Sequence, residues 1–458
     1  MSHSGKEIKS EDRKVNKLSV QLKGYWGLGA LGLSSVSYTI NTQFTYFLVE
    51  YLGLSAVIAG SIYAVSRLYD AVTDPVVGAL SDATQSRWGR RRPWILLSAF
   101  LIPMACWMLF HPPDLSPTFL TAYMAFGILF FYTGYTVYYV PHLAMAAEMT
   151  DSYQERTSLM AYNMFFASAA GFVGTSVTAW LIVFFGNDRE AYGQMSIPMG
   201  ILSFICLFLC FRGTASARNM DVPITKKEIT FKEWWKTLVT NKPFAILIGA
   251  KFCHLFGIGS VMASITFFSA SVLGYGQAGV ATYGIGINLG QVLTLPLWVW
   301  LGWRFPKHQL YACSVFWFSL ICLSFMFIDN QTPMWVFFVQ TLGLGFGAGG
   351  ILTMGQSLLP DIVAYDRALT GLRREGMFTS VFSFMQKTAH SLAPFAIGIV
   401  LTSMGYAAGM KGGEQSAQAI QGVYIAISIV PAVALILSIP LLLMYNLTEK
   451  ELKRVGAA

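Results

Sequence analysis

Charged residues are scarce in this sequence. They make up 12% of its 458 residues, about half the share of an ordinary soluble domain. That scarcity argues against a sizeable soluble domain. The HExxH, GxSxG and phosphate-loop patterns are also missing, which removes the usual sequence signs of a membrane enzyme. Cysteine is sparse too. Cys106, Cys206, Cys210, Cys253, Cys313 and Cys322 all fall inside hydrophobic runs. None has metal-ligand spacing, and Cys206 with Cys210 reads as helix packing rather than a redox pair. Residues 1–23 lack the short apolar core and the small-residue cleavage site of a signal peptide, so they read as a cytoplasmic tail.

What is present in abundance is apolar sequence, 55% of the chain. Runs long enough to cross a bilayer recur twelve times, at about 25–52, 56–80, 94–111, 117–147, 159–185, 196–211, 243–273, 279–302, 310–328, 334–359, 376–404 and 422–446. The reading is an all-α integral membrane protein of twelve transmembrane helices. Placing both termini inside puts 26 of the 31 Lys and Arg in inner segments, leaves only Arg189 and Lys411 outside, and leaves Arg67, Lys251 and Lys387 within helices. So strong a bias fixes the expected orientation. It also explains the formal charge of +8 by topology and excludes a nucleic-acid partner. The expected organisation is a cytoplasmic tail (1–24), a six-helix bundle (25–211), a cytoplasmic linker (212–242), a second six-helix bundle (243–447) and a cytoplasmic tail (448–458). The linker holds "KKEITFKEWWKTLVTNK", the pattern of an amphipathic surface helix.

A weak internal echo supports the division. "MTDSYQERTSLMAY" after the fourth run resembles "VAYDRALTGLRREGMFTS" after the tenth. Two similar six-helix halves mark a rocker-type transporter with its substrate site between them. "GLGFGAGG" holds the GxxxG pairs Gly343/Gly347 and Gly345/Gly349, which allow close helix approach. "GYGQAG" at 274–279 matches a dinucleotide fingerprint only formally, because no strand precedes it.

The stretch that carries chemistry is "RLYDAVTDPVVGALSDATQSRWGRRRP", residues 67–93. Asp70 and Asp74 are four residues apart and share one helix face. Two carboxylates there repel unless a proton or a metal cation lies between them. A structural ion network is the rival reading: Arg67, one turn away, would neutralise Asp70 but leave Asp74 uncompensated. Thr73 and Thr136 offer the oxygens that hard cations prefer. Na⁺ and H⁺ both fit. Asp82 and the arginines Arg87, Arg90, Arg91 and Arg92 then form a basic loop. Its cations either set topology alone or pair with acids at neighbouring helix ends as a gate. Glu148, Arg156 and Arg374, in the two echoing segments, belong to the same gating set.

These residues carry a resemblance. "YDAVTDPVVGALSDATQSRWGRRRPW" looks like the helix 2–helix 3 signature of the glycoside–pentoside–hexuronide cation symporters, the branch of the major facilitator superfamily that contains the melibiose carriers. "VPHLAMAAEMTDSYQERTSL" and "LPDIVAYDRALTGLRREGMFTSVFSFMQK" resemble its helix 4–5 and helix 10–11 segments, in register over about 24–447. The resemblance implies two pseudo-symmetric six-helix bundles and symport of Na⁺, H⁺ or Li⁺ with a sugar. No resident cofactor is implied. Carried over by position, Asp70 and Asp74 are the expected cation-binding acids, a Na⁺ site, and Thr136 is a hydroxyl ligand. Thr73 stands where the melibiose carriers have asparagine. Lys387 is a lysine near both the cation and the sugar, and with Arg67 forms the expected coupling pair. The galactoside-binding acids are absent: Ser34 and Tyr139 occupy their positions, and the sugar-binding arginine falls at or beside Asn163 and Met164. Melibiose is therefore not the expected substrate.

A sugar needs aromatic faces and a few placed polar groups. The substrate candidates are Ser34, Tyr38 and Asn41 in the first run, Tyr138, Tyr139 and His142 in the fourth, Asn163 in the fifth, and His254 and His390 in the second half. Lys251 reads as snorkelling toward the cytoplasm. The expected substrate is a sugar, a glycoside or a uronic-acid derivative: an acid would pair with Lys387, and a neutral glucoside would suit the hydroxyl and amide groups. The expected protein is a monomer in the bacterial inner membrane. Two alternatives stand beside it: a cation-coupled carrier of a lysolipid or similar amphipath, and a transporter-derived solute sensor.

Overall fold

The computed structural model describes residues 17–150, 152–217, 241–370, 374–410, 415–447 and 449–455. They form twelve long helical rods and one short terminal helix, with no strand among the described residues. The first rod, α1, is Val20–Thr39 and runs on through π turns at Ile40–Phe44 and Phe47–Tyr51. It is followed by α2 (Ala56–Ala83), α3 (Arg92–Phe110) and α4 (Pro117–Met149). Next, α5 is Tyr153–Phe172, a π turn at Val173–Val177, and Thr178–Phe184, and α6 is Arg189–Gly213. The second half holds α7 (Lys242–Ser271), α8 (Gly276–Gly302), α9 (Lys307–Ser324), α10 (Met334–Thr370) and α11 (Glu375–Ser403). The last rod, α12, is Ala417–Tyr424, a π turn at Ile425–Ile429, and Val430–Leu443, and the short α13 is Glu449–Arg454. The proposed linker helix lies outside the described residues.

Several helices outrun their apolar cores. Ser152 caps α5 by accepting from Glu155 N, and Asp188 caps α6 by accepting from Ala191 N. Each helix therefore starts six or seven residues before its hydrophobic run, because a cap satisfies backbone donors where hydropathy gives no signal. Among the described residues nine helices are long and apolar enough to cross a membrane by length and composition. The exceptions are α1, rich in Gly, Ser and Thr, and α2 and α11, which carry Arg67, Asp70, Asp74 and Lys387.

The packing repeats. In the first half α1 packs on α5 and α6, α3 on α4 and α6, and α2 on α4. In the second half α7 packs on α11 and α12, α9 on α10 and α12, and α8 on α10. Adding six to each helix number converts one set into the other. Between the halves, α2 meets α11 and α8 meets α5, and the same operation exchanges these two contacts. That is a pseudo-two-fold arrangement with the interface on its axis. Small residues make it possible: a Cβ on Gly60 of α2 would strike the backbone of Pro394, and one on Gly398 of α11 would strike Ala56. The GxxxG pairs also divide their work, with Gly345 and Gly349 facing α8 and Gly343 and Gly347 facing α9.

The two ends of the bundle differ. Away from the arginine-rich loop, polar contacts join the halves. Gln43 of α1 and Gln277 of α8 exchange reciprocal amide hydrogen bonds of 2.9 Å, and Gln277 donates to Tyr192 Oη at 2.7 Å. Thr266 of α7 donates to the Thr42 carbonyl at 2.7 Å, and Tyr406 donates to Glu50. At the arginine-rich end the described ion pairs each join helices of one half. Arg91 reaches Asp82 at 2.5 Å and Glu148 at 2.8 Å, while Lys307 reaches Asp361 at 2.7 Å.

Candidate functional site

The site starts from the spacing on α2. Arg67, Asp70 and Asp74 recur at three and four residues, so they project from one side of the helix. Pro75 follows directly, and Pro141 and Pro394 lie in α4 and α11. A proline gives no N–H to the preceding turn, and in a bilayer such breaks persist where neighbouring groups compensate.

Thr136 of α4 links the two acids. Its hydroxyl lies 2.5 Å from Asp70 Oδ1 and 3.1 Å from Asp74 Oδ1. Thr73 contributes a second hydroxyl, 3.4 Å from that of Thr136, while bonding back to the Asp70 carbonyl at 3.1 Å. From α11, the Lys387 ammonium comes within 2.8 Å of Asp70 Oδ2 and also contacts Asp74 Oδ2. Asp70 is fully buried, whereas the Asp74 side chain is 28% exposed. The result is a closed cluster of two carboxylates, two hydroxyls and one ammonium. Its formal charge is one negative unit. The ion pair also crosses the interface, because the acids belong to the first half and the lysine to the second.

Arg67 does not neutralise Asp70, contrary to the rival network reading. Lys387 takes that role from the other half, and Arg67 turns to aromatic rings. Its guanidinium lies 4.5 Å from the Tyr132 ring centroid and 5.6 Å from that of Tyr63, and it donates to Tyr63 Oη at 3.1 Å. Tyr63 in turn donates to Asn41 Oδ1 on α1. His390 of α11 stands within electrostatic reach of Arg67, and Tyr139, 39% exposed, stacks on Tyr135 beside the acids. Tyr38 packs on Gly171 and Gly174 of α5 where Asn288 of α8 also arrives. Ser34 and Asn163 are half-buried on α1 and α5.

Three expected substrate residues are not in this space. His142 is buried, with Nε2 2.9 Å from the Trp26 carbonyl and its ring stacked between Trp26 and Tyr138. Tyr138 is pressed against Gly29 and Cys210. His254 shares a 2.7 Å hydrogen bond with Tyr311 inside the second half. Their polar atoms face the interior of their own bundles. Lys251 is buried rather than snorkelling, held between the rings of Tyr311 and Phe382. The reading from sequence missed Tyr63, Tyr132 and Asn288, which carry no local signal among the 21 tyrosines and the many polar helix residues.

The gating set separates similarly. Arg91 is buried, bonding Ser81 at 2.6 Å as well as Asp82 and Glu148, and Arg90 reaches Glu148 at 3.4 Å. Arg92 donates to the Phe211 carbonyl, at 2.8 Å from Nη2, and so caps α6. Arg87 stacks on Trp88, and Arg156 donates to the Thr150 carbonyl at 3.3 Å. Arg374 pairs with Asp366 at 2.6 Å. Arg91, Glu148 and Asp82 brace α2, α3 and α4 of one half and do not bridge to the other.

Among the described residues no group of three or more His, Cys, Asp or Glu side chains converges to hold a metal. Two carboxylates with hydroxyls are instead the donor set of an alkali cation or a proton. Comparison with known proteins agrees with a carrier. The chain is 27% identical to the uncharacterized symporter YnaJ of Bacillus subtilis, over 96% of this chain and 95% of that one. It is 26% identical to the isoprimeverose transporter of Lactiplantibacillus pentosus, over 91% and 86%. In fold it matches a solved proton-dependent oligopeptide transporter with a TM-score of 0.69 at 11% identity, covering 95% and 99%. The sequence profile of one family runs across nearly all of both bundles, residues 25–449, and the chain belongs to that family, the MFS/sugar transport proteins.

Proposed function

We propose that this chain is a cation-coupled symporter of a sugar or glycoside, working by alternating access in the bacterial inner membrane as a single polypeptide. The observation that supports this best is the cluster of Asp70, Asp74, Thr136 and Lys387. It has one negative charge to spare, and one monovalent cation makes it neutral. Names of relatives point the same way: one is named a symporter and another an isoprimeverose transporter.

In the proposed cycle, the two acids hold one positive charge too few. A travelling Na⁺ or H⁺ enters among the oxygens of Asp70, Asp74, Thr136 and Thr73. It weakens their hold on the Lys387 ammonium, and that hold is a tie between the halves. Cation binding therefore acts on the interface that must rock. Substrate binds between the halves near Asn41, Arg67, Tyr139 and His390. With the arginine-rich end placed in the cytoplasm by its positive charge, the Gln43–Gln277 contacts close the outer end and the structure faces inward. Each positive charge carried inward is worth about 2.3 kcal/mol per 100 mV, or roughly 50-fold in accumulation.

The test is uptake into proteoliposomes across a panel of sugars and glycosides, with Na⁺ and H⁺ gradients imposed separately. One gradient should drive at least one sugar well above equilibrium. Uptake that only equilibrates under every gradient would overturn the reading.

A further inference from the structure

The arginine-rich end carries more positive charge than its acids match. Asp82 and Glu148 pair with Arg91. Arg87, Arg92 and Arg212 have no carboxylate within ion-pair distance among the described residues. Arg87 lies over the Trp88 ring, 4.8 Å from its centroid. Arg92 donates from Nε and Nη2 to the Phe211 carbonyl, at 3.1 and 2.8 Å, and lies 4.6 Å from the Phe211 ring centroid. Arg212, the next residue of α6, is exposed and within electrostatic reach of Arg92. Like charges held together repel, and an anion between them relieves the repulsion.

The same two helices leave a groove of about 330 Å³ on the outside of the bundle. Ala99 and Pro103 of α3 and Gly200 of α6 floor it, and Phe100, Ile201 and Phe204 wall it. Phe100 and Ile201 are exposed there. A ladder of rings joins the groove to the arginines. Centroids are 5.4 Å apart for Phe100 and Phe204, 5.7 Å for Phe204 and Phe208, 6.2 Å for Phe208 and Phe211, and 5.5 Å for Phe211 and Trp88. At the helical rise, Ala99 lies about 10 Å and Pro103 about 16 Å along α3 from Arg92. One leaflet of hydrocarbon is about 15 Å deep, so the groove opens within the leaflet whose headgroups meet the arginines.

We propose that this corner binds one anionic phospholipid of the inner leaflet. Its phosphate sits at Arg92 and Arg212, with Arg87 and Trp88 at the rim, and one acyl chain lies in the α3–α6 groove. Charge complementarity selects the headgroup, because cytoplasmic leaflets hold anionic lipids and basic pockets between helices take them. A free phosphate would meet the arginines alone, whereas a lipid also covers the apolar groove. Charge that only set topology would need neither the fixed Arg92 guanidinium nor the groove. The bound lipid ties the loop before α3 to the end of α6.

The test uses the full chain, purified in a neutral detergent and stripped of native lipid. It is titrated with dioleoyl phosphatidylglycerol, dioleoyl phosphatidylcholine and inorganic phosphate, and retained lipid is counted by native mass spectrometry. One phosphatidylglycerol should be held about tenfold or more tighter than phosphatidylcholine. Arg87→Gln/Arg212→Gln cuts no hydrogen bond among the described residues and should erase that preference. Ile201→Trp fills the groove from an exposed position, and should weaken phosphatidylglycerol several-fold with every arginine in place. Equal retention of the two lipids by the wild type would overturn the proposal, and needs no variant to fold. So would a preference that survives the double substitution, or unchanged binding in Ile201→Trp. Phosphate that displaces the lipid at equal concentration would also overturn it, since the groove would then add nothing.

Discussion

Asp70 and Asp74 show how far single residues can be read. Their four-residue spacing announced a shared face, and the structure places them around one hydroxyl. What the spacing did not announce was the partner. Lys387 is 313 residues from Asp74 in sequence, so its arrival depends on how the halves pack; spacing offered only the rival pairing with Arg67, and it was the family resemblance that pointed to Lys387. Two predictions belong here. Thr136→Val removes the one hydroxyl that reaches both acids, and cation affinity should fall roughly tenfold, with Thr136→Ser near wild type. Cation titration of tryptophan fluorescence measures this, and an unchanged affinity in the valine variant would remove Thr136 from the site. Lys387→Gln removes the resident competitor. Apparent cation affinity should rise about tenfold or more while gradient-driven accumulation is lost, because the tie between the halves no longer senses the ion. Weaker cation binding in that variant would show that the lysine helps rather than competes.

At the scale of elements, twelve helices were legible from apolar runs, whereas their ends were not. Hydropathy reports the part of a helix in lipid. Caps such as Ser152 and Asp188, and the long polar tail of α10 to Thr370, extend helices into water where that signal vanishes. The π turns of α1, α5 and α12 left no mark in composition. The α2–α11 contact was likewise invisible, although it brings both halves of the cation cluster together. It relies on Gly60 and Gly398 having no side chain. Gly398→Val should force the two helices apart, an overpacking cost of about 1–3 kcal/mol, and shift the carrier toward an open outer end. Alkylation of a cysteine placed at Ala56 should then quicken several-fold. An unchanged rate would mean that the contact does not control opening.

At the scale of the molecule, the echo between "MTDSYQERTSLMAY" and "VAYDRALTGLRREGMFTS" foretold a repeat, and the packing supplies its operation. Arg91–Glu148 joins α3 to α4 as Lys307–Asp361 joins α9 to α10. The contacts that close one end were not foreseen, since Gln43 and Gln277 are 234 residues apart. If the halves rock, those contacts must break in every cycle. Cysteines at 43 and 277, joined by a short bismaleimide in a background free of native cysteine, should stop transport entirely. Transport that survives complete cross-linking would exclude rocking at this interface.

Asp70, fully buried, and Asp74, part-buried beside it, need a mobile positive charge. The most direct measurement is concentrative uptake by the Asp70→Asn/Asp74→Asn carrier in proteoliposomes, under the gradient that drives the wild type. The account predicts that accumulation above equilibrium disappears. A doubly neutral carrier that still concentrates its sugar would contradict it.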